Sequence, residues 1–269
     1  MKKIMCALSA LIVLSTAVEA SAANRAVAPQ QRLVRIATDA GYEPFTYLDE
    51  DSNLVGFEVD LLKEMCAILD FTCVFRHEGL LFQDLLPLLK EEQADIVFGG
   101  MGITRDRLED FDFLLNYKAT KYFFGKKGVS IQNFPEDLSG MKVGVEANTK
   151  FVEFVEALSE DLQAKGMEPI EIIELKDTHA VKAAHLAGNI ELHPAGQGLI
   201  EAWLSEEEFR DYHSTGPELI SGFKGEIFGL GDGFALQKGS PLQYEFGKAM
   251  QILLHDCRYT QIEKRYLSF

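Results

Sequence analysis

Basic residues are scarce in this 269-residue chain: 26 Lys and Arg stand against 42 Asp and Glu, a formal charge of −16. So acidic a surface excludes electrostatic capture of nucleic acid or of anionic membranes, but leaves the sign of charge inside a cleft open. Past the N-terminus no run is long and apolar enough for a transmembrane helix. Catalytic signatures are missing too, with no G-x-S-x-G, no H-E-x-x-H and no phosphate loop. His179, His185 and His193 lack metal-ligand spacing, so neither a metal nor another cofactor is expected. Cysteine is sparse, at Cys6, Cys66, Cys73 and Cys257, and tryptophan occurs once, at Trp203.

What is present begins with an export pattern. Lys2 and Lys3 precede an apolar stretch from Ile4 to Val18, and Ala20-Ser21-Ala22 supplies the small-x-small cleavage signature. Residues 1–23 therefore read as a signal peptide, the mature chain as a soluble exported protein, and Cys6 as part of what is removed. An oxidising compartment favours a Cys66–Cys73 disulfide over two buried free thiols, because a helix end and the following strand double back between them. Cys257 is left over and is expected to be a buried or semi-buried thiol.

The apolar and charged fractions, 47% and 25%, are those of a globular chain long enough for one large domain or two smaller ones. Leu33 to Ala37 reads as a strand, and Val59, Leu62, Met65, Cys66 and Leu69 fall at helical spacing. Phe71 to Phe75 follows as a strand, Leu81 to Glu92 as a helix and Asp95 to Phe98 as a strand. After an aromatic β-type stretch from Phe111 to Lys127 the alternation restarts. Strands at Met141–Val145, Ile170–Glu174 and Ile190–Leu192 are separated by helices at Thr149–Leu162 and Thr178–Ala187. Such alternation predicts mostly parallel sheets covered on both faces. The helix-to-strand joint before Val97 has a counterpart before Leu192, which points to two similar lobes. Ser205-x-x-Glu208 reads as a capping box opening a short helix, and the glycine-rich Gly225–Gly233 suits a flexible crossover. Helices at Leu242–Leu253 and Tyr259–Tyr266 close the chain.

The richest stretch runs from Gln93 to Tyr117. A short strand leads into Gly99-Gly100-Met101-Gly102, whose bare backbone a small ligand can approach closely, and Arg107 follows with a fork that matches a carboxylate. At the C-terminal end of a strand this reads as a carboxylate-binding ledge; a plain glycine turn with a surface arginine is the alternative.

TDAGYEPFTY (38–47), VGFEVDLLKEM (55–65), FQDLLPLL (82–89), ADIVFGGMGITRDR (94–107), MKVGVEANT (141–149) and GFALQKGSPL (233–242) occur in this order. Together they make the chain resemble the family-3 extracellular solute-binding proteins, the periplasmic amino-acid receptors of ABC importers. The Cys66–Cys73 spacing and GLGDG at 229–233 are most similar to the lysine/arginine/ornithine- and histidine-binding branch, in which the equivalent cysteines are bonded. The resemblance implies an α/β, two-lobed type II periplasmic binding protein, its Rossmann-like lobes joined by two crossover hinge strands. Lobe 1 would be 32–120 plus 230–269 and lobe 2 would be 121–229. It implies a monomer that closes on its ligand and delivers it to an inner-membrane ABC permease. Carried over by position, Arg107 would hold the ligand α-carboxylate, helped by backbone near Gly100 and Gly102 and by the helix start at Thr149-Lys150. Tyr42 and Phe82 would sandwich the ligand side chain, and Asp39 would reach its far end.

Two positions depart from that pattern, and at one of them the Ser/Thr expected near the glycine turn is Gly102. The acid expected to meet the ligand ammonium falls at Gly196, so Glu146, Gln197 or Asp232 must substitute, or the ligand amine is modified or absent. A dehydratase-like periplasmic enzyme on the same scaffold, with Glu146 and His193 as acid–base candidates, and a partner of a membrane sensor are the competing readings. Non-enzymatic capture of an amino acid or related carboxylate is the expectation.

Overall fold

The computed structural model describes residues 31–267. The expected signal over 1–23 lies outside them, as does nearly all of the polar leader that follows. Strand β1 (Leu33–Ala37) runs into a small antiparallel sheet of β2 (Gly41–Tyr42), β3 (Thr46–Leu48) and β4 (Leu54–Val55). Helix α1 (Phe57–Leu69), β5 (Thr72–Arg76), α2 (Phe82–Lys90), β6 (Ile96–Val97), α3 (Arg105–Asp110) and β7 (Phe111–Tyr117) complete the first passage. The second contains β8 (Lys121–Lys126), β9 (Lys142–Glu146), α4 (Lys150–Ala164), β10 (Glu171–Leu175), α5 (Thr178–Leu186), β11 (Leu192–Gly196), α6 (Gln197–Leu204) and β12 (Tyr212–Thr215). The chain then returns through β13 (Asp232–Gln237), α7 (Pro241–His255) and α8 (Arg258–Tyr266).

Two five-stranded sheets result, ordered β5-β1-β6-β13-β7 and β10-β9-β11-β8-β12. In each, three parallel strands are followed by two antiparallel pairings. The expectation of mostly parallel sheets therefore holds only for the strands that a helix joins. Strands β8 and β13 enter their sheets directly from a crossing of the chain and are free to run the other way. The chain crosses between the sheets twice, from Tyr117 to Lys121 and from Thr215 to Asp232.

Both faces of both sheets are covered. Val34, Ile36, Phe234 and Leu236 pack under α1, α7 and α8, while Ala37, Val97 and Ala235 pack under α2. In the second sheet, Phe123, Val143 and Val145 face α4, and the next residue along β8, Phe124, faces α5 and α6. That alternation is the two-residue period of a strand buried on both sides. Local signals set the helix ends: Pro241 stands in the first turn of α7 behind Ser240, whose Oγ accepts from Leu242 N–H at 3.3 Å.

Several local expectations are corrected. The strand expected at Ile190–Leu192 lies at Leu192–Gly196, and Pro194 is tolerated there because β11 meets β9 only at Leu192↔Val143. Ser205 closes α6, with Oγ donating to Ala202 O at 2.6 Å, and does not open a helix; the turn after it is a short 3-10 segment, Glu207–Phe209. The glycines after Phe228 serve close packing, since a Cβ on Gly229 would lie 2.0 Å from Ile103 O. Cys257 is exposed, not buried, and sits at positive φ ahead of α8.

Cys66 and Cys73 form a disulfide that ties the end of α1 to β5 across seven residues of sequence. Chain entropy assigns such a loop about 2.5 kcal/mol of stabilisation. Replacing both cysteines by serine is expected to lower the unfolding free energy by about that amount in urea titrations. An unchanged midpoint would mean that the bond adds nothing.

Candidate functional site

The carboxyl ends of β1, β6 and β9 face one space between the two sheets. Ligands gather at such strand ends because backbone N–H groups and helix starts open there. The empty space there, counted together with its mouth open to solvent, is about 540 Å³. Asp39, Tyr42, Phe82, Gly100, Gly102 and Arg107 line it from the first passage, and Thr149 and Lys150 from the second. Of the residues expected from sequence, eight are thus brought together and Gln197 is not. Gln197 instead braces the first crossing, accepting from Thr120 Oγ1 and donating to Glu201 Oε1, both at 2.5 Å.

Arg107 leaves α3 with one hydrogen bond, from Nη1 to Gly102 O at 2.9 Å, and its guanidinium carbon lies 5.7 Å from the Phe82 ring centre. The glycine ledge is less open than the sequence implied, because Gly100 N–H already donates to Glu58 Oε2 at 2.9 Å. Glu58 is fully buried, holds Asn116 Nδ2 at 2.7 Å, and is pushed up to about 8 by that burial. Lys150 is also committed. It pairs with Asp106 across the mouth at 3.0 Å and with Glu153 at 2.6 Å, so its side-chain charge is met and what it offers the cavity is the N-terminal end of α4. Asn148 bonds Gln83 at the same mouth.

Tyr42 stacks on Phe45 with ring centres 5.3 Å apart and is wedged between two glycines. A Cβ on Gly100 would lie 2.5 Å from its Cε1, and one on Gly196 would lie 2.6 Å from its hydroxyl oxygen. The position where the family pattern calls for an acid is thus closed by the tyrosine.

Charge inside the cavity is uneven. Lys121 and Asp232, both buried, pair at 3.4 Å and largely cancel, the ammonium lying 5.8 Å from both the Phe151 and Phe228 ring centres. Burial pushes the Asp232 carboxyl up, and Lys121 opposes that shift. Asp39 and Glu146 have no ion pair among the described residues. Burial raises Asp39 to about 6 and Glu146 to about 7, with Asp39 itself adding to the rise at Glu146. Glu146 Oε2 accepts from Thr178 Oγ1 at 2.9 Å, and Asp39 Oδ1 accepts weakly from Thr38 Oγ1 at 3.5 Å. No motif marks Lys121, Phe151 or Phe228, and Glu58 lies inside VGFEVDLLKEM without a role read for it. The signals available were a lone lysine opening an aromatic strand and a glutamate in the apolar first turn of α1. Among the described residues no cluster could hold a metal ion, and no helix is long and apolar enough to cross a membrane.

Two like sheets, two chain crossings and a lined cavity between strand ends define a two-lobed binding protein of the type II periplasmic class. The chain belongs to the bacterial extracellular solute-binding proteins, family 3, whose profile matches residues 34–269. It is 31% identical over 272 residues to the histidine-binding periplasmic protein of Escherichia coli K12, covering all of this chain and 98% of that one. It is 29% identical over 239 residues to the L-arginine-binding protein of Pseudomonas aeruginosa, covering 88% of each. Among solved structures, an ancestral arginine-binding protein bound to arginine shares the fold with a TM-score of 0.76. Its identity is 24%, and the match covers 88% of this chain and 99% of that one.

The raised carboxyl of Glu146 has a testable sign. Its folded value, about 7, exceeds the ordinary 4.5, so between these values the native state holds more protons than the unfolded chain, and stability falls as pH rises. Glu146→Gln lacks that loss. From about pH 4 to about pH 8 the variant is expected to gain on the order of 3 kcal/mol relative to the parent protein in urea unfolding. A gap independent of pH would place Glu146 in water instead.

Proposed function

We propose that this protein is a periplasmic receptor that closes around a cationic amino acid of the arginine class and hands it to an ABC permease of the inner membrane. The observation that carries this reading is the charge of the cavity. Once Lys121 and Asp232 cancel, Arg107 is left with two unpaired carboxylates, Asp39 and Glu146. A ligand with one carboxylate and two cationic groups is the complement. Its α-carboxylate meets Arg107 and the α4 N-terminus, its side-chain cation meets Asp39 between Tyr42 and Phe82, and its ammonium meets Glu146 instead of the acid absent at Gly196. The names of the relatives, histidine- and L-arginine-binding, point to the same ligand class.

In this reading residues 32–120 with 230–269 form one lobe and 121–229 the other, and the two crossings serve as the hinge. The N-terminal export pattern and the family's extracellular character support a periplasmic chain released from its signal. No chemical step is assigned. Glu146 has a carboxyl suited to acid–base work, but the other candidate, His193, is buried and hydrogen-bonded to His185 at 2.7 Å.

L-Arginine at a hundredfold excess over its dissociation constant is expected to add about 2.7 kcal/mol of stability. Arg107→Ala is expected to weaken binding at least thirtyfold by titration calorimetry, roughly the 2 kcal/mol or more that loss of a buried charge partner costs. If no cationic amino acid shifts the unfolding midpoint, the ligand class is wrong. If Arg107→Ala binds like the parent, the arginine is not in the site.

A further inference from the structure

Two side-chain contacts bridge the mouth of the cavity, both made by groups of the protein itself. Asp106, in the first turn of α3, pairs with Lys150 at 3.0 Å, and Gln83 of α2 bonds Asn148 just ahead of α4. The ion pair stands beside the groups that face a ligand carboxylate. Asp106 precedes Arg107 in the chain, and Lys150 follows Thr149 as the first residue of α4. Lys150 has a second partner, Glu153 Oε2 on its own helix, at 2.6 Å. One ammonium is thus shared between an acid across the mouth and an acid on its own side. Its side chain is 21% exposed, against 62% for Asp106 and 55% for Glu153, so the lysine is the shielded member of the three. The groove outside the mouth is lined by Glu109 and Glu226 as well, against Arg105 and Lys150. Without the lysine, acids would face acids across the opening.

We infer that Lys150 works as a two-position latch between the lobes. Bonded to Asp106, it keeps Arg107 and the N-terminus of α4 together as the two halves of a carboxylate clamp. When the lobes part to release the ligand, its bond to Glu153 keeps the ammonium paired. The inference rests on the reading of two lobes that close at the crossings onto a carboxylate held by Arg107. The two acids then act in opposite directions. Asp106 attracts the lysine only in the closed arrangement, so removing its charge favours opening. Glu153 stays with the lysine in both arrangements, but closure brings it toward Asp106, a like charge. It also supplies the open arrangement with a partner for the ammonium. Removing its charge therefore favours closure on both counts. Neither acid lines the cavity, so neither acts on the ligand by contact.

Stopped-flow dissociation of L-arginine tests this. Asp106→Asn and Lys150→Gln are each expected to speed release by about threefold, the scale of a part-exposed ion pair. The double variant is expected to release no faster than the faster single variant, since both remove the same bond. Glu153→Gln is expected to slow release by about twofold. Additive effects of Asp106→Asn and Lys150→Gln would overturn the latch and leave the lysine as a direct ligand contact. Faster release from Glu153→Gln would overturn it as well, since Glu153 would then be holding the mouth shut. If L-arginine does not bind, the arginine-class reading falls, and small-angle scattering of the ligand-free protein still tests the latch. The radius of gyration is then expected to be larger for Asp106→Asn than for Glu153→Gln, and equal radii would overturn the latch.

Discussion

A buried ion pair sits where the chain crosses between its sheets. Lys121 is the first residue of β8 and Asp232 the first of β13, the two strands that enter a sheet straight from a crossing. Both side chains are almost fully desolvated, so neither is tolerable alone, and each crossing is held in register by the other. The pair also decides what the cavity can take. Because these charges answer each other, the space is left with the guanidinium of Arg107 and the carboxylates of Asp39 and Glu146, and its preference for ligand charge follows.

Tyr42 supplies the second constraint. Its ring fills the volume that side chains at positions 100 and 196 would need, which explains why both are glycine. An acid at Gly196 would have to displace the tyrosine hydroxyl, so the missing carboxylate is the counterpart of a wedged aromatic ring. In the proposed function, recognition of a positive group moves across the cavity to the end of β9, where Thr178 at the start of α5 donates to the Glu146 carboxylate.

The helices and the parallel strands were legible because each combines a hydrophobic period with local end signals, as in the first turn of α7. What could not be read depends on partners distant in sequence. Strand β11 was placed too early because His193-Pro194-Ala195-Gly196 carries no strand pattern and is held by β8. The Gly100 N–H looked available, yet Glu58, 42 residues earlier, occupies it. The helix start at Thr149-Lys150 was read for its backbone N–H groups, and that Asp106 neutralises the Lys150 side chain across the mouth has no local sign. Arg107, Phe82, Asp39 and Tyr42 were recoverable because their motifs recur in family order. Lys121 was not, since a lysine in a β segment has no meaning until Asp232 is seen beside it. Gln197 is absent from the lining for a related reason: its side chain is bonded to Thr120 and Glu201 instead.

Ligand recognition and the stability of the empty protein place opposite demands on the same carboxylates. With the cavity empty, burial favours neutral Asp39 and Glu146, and each proton they keep lowers the desolvation cost. A cationic ligand reverses this, since it gains most from both groups ionised. Under the proposed function, binding of a cationic amino acid near neutral pH expels protons, and affinity rises with pH over the range in which the empty protein loses stability. Glu58 does not take part, because its partners Gly100 N–H and Asn116 Nδ2 stay with it whatever the cavity holds. The opposed slopes belong to Asp39 and Glu146 because they are buried and pair with no cation among the described residues.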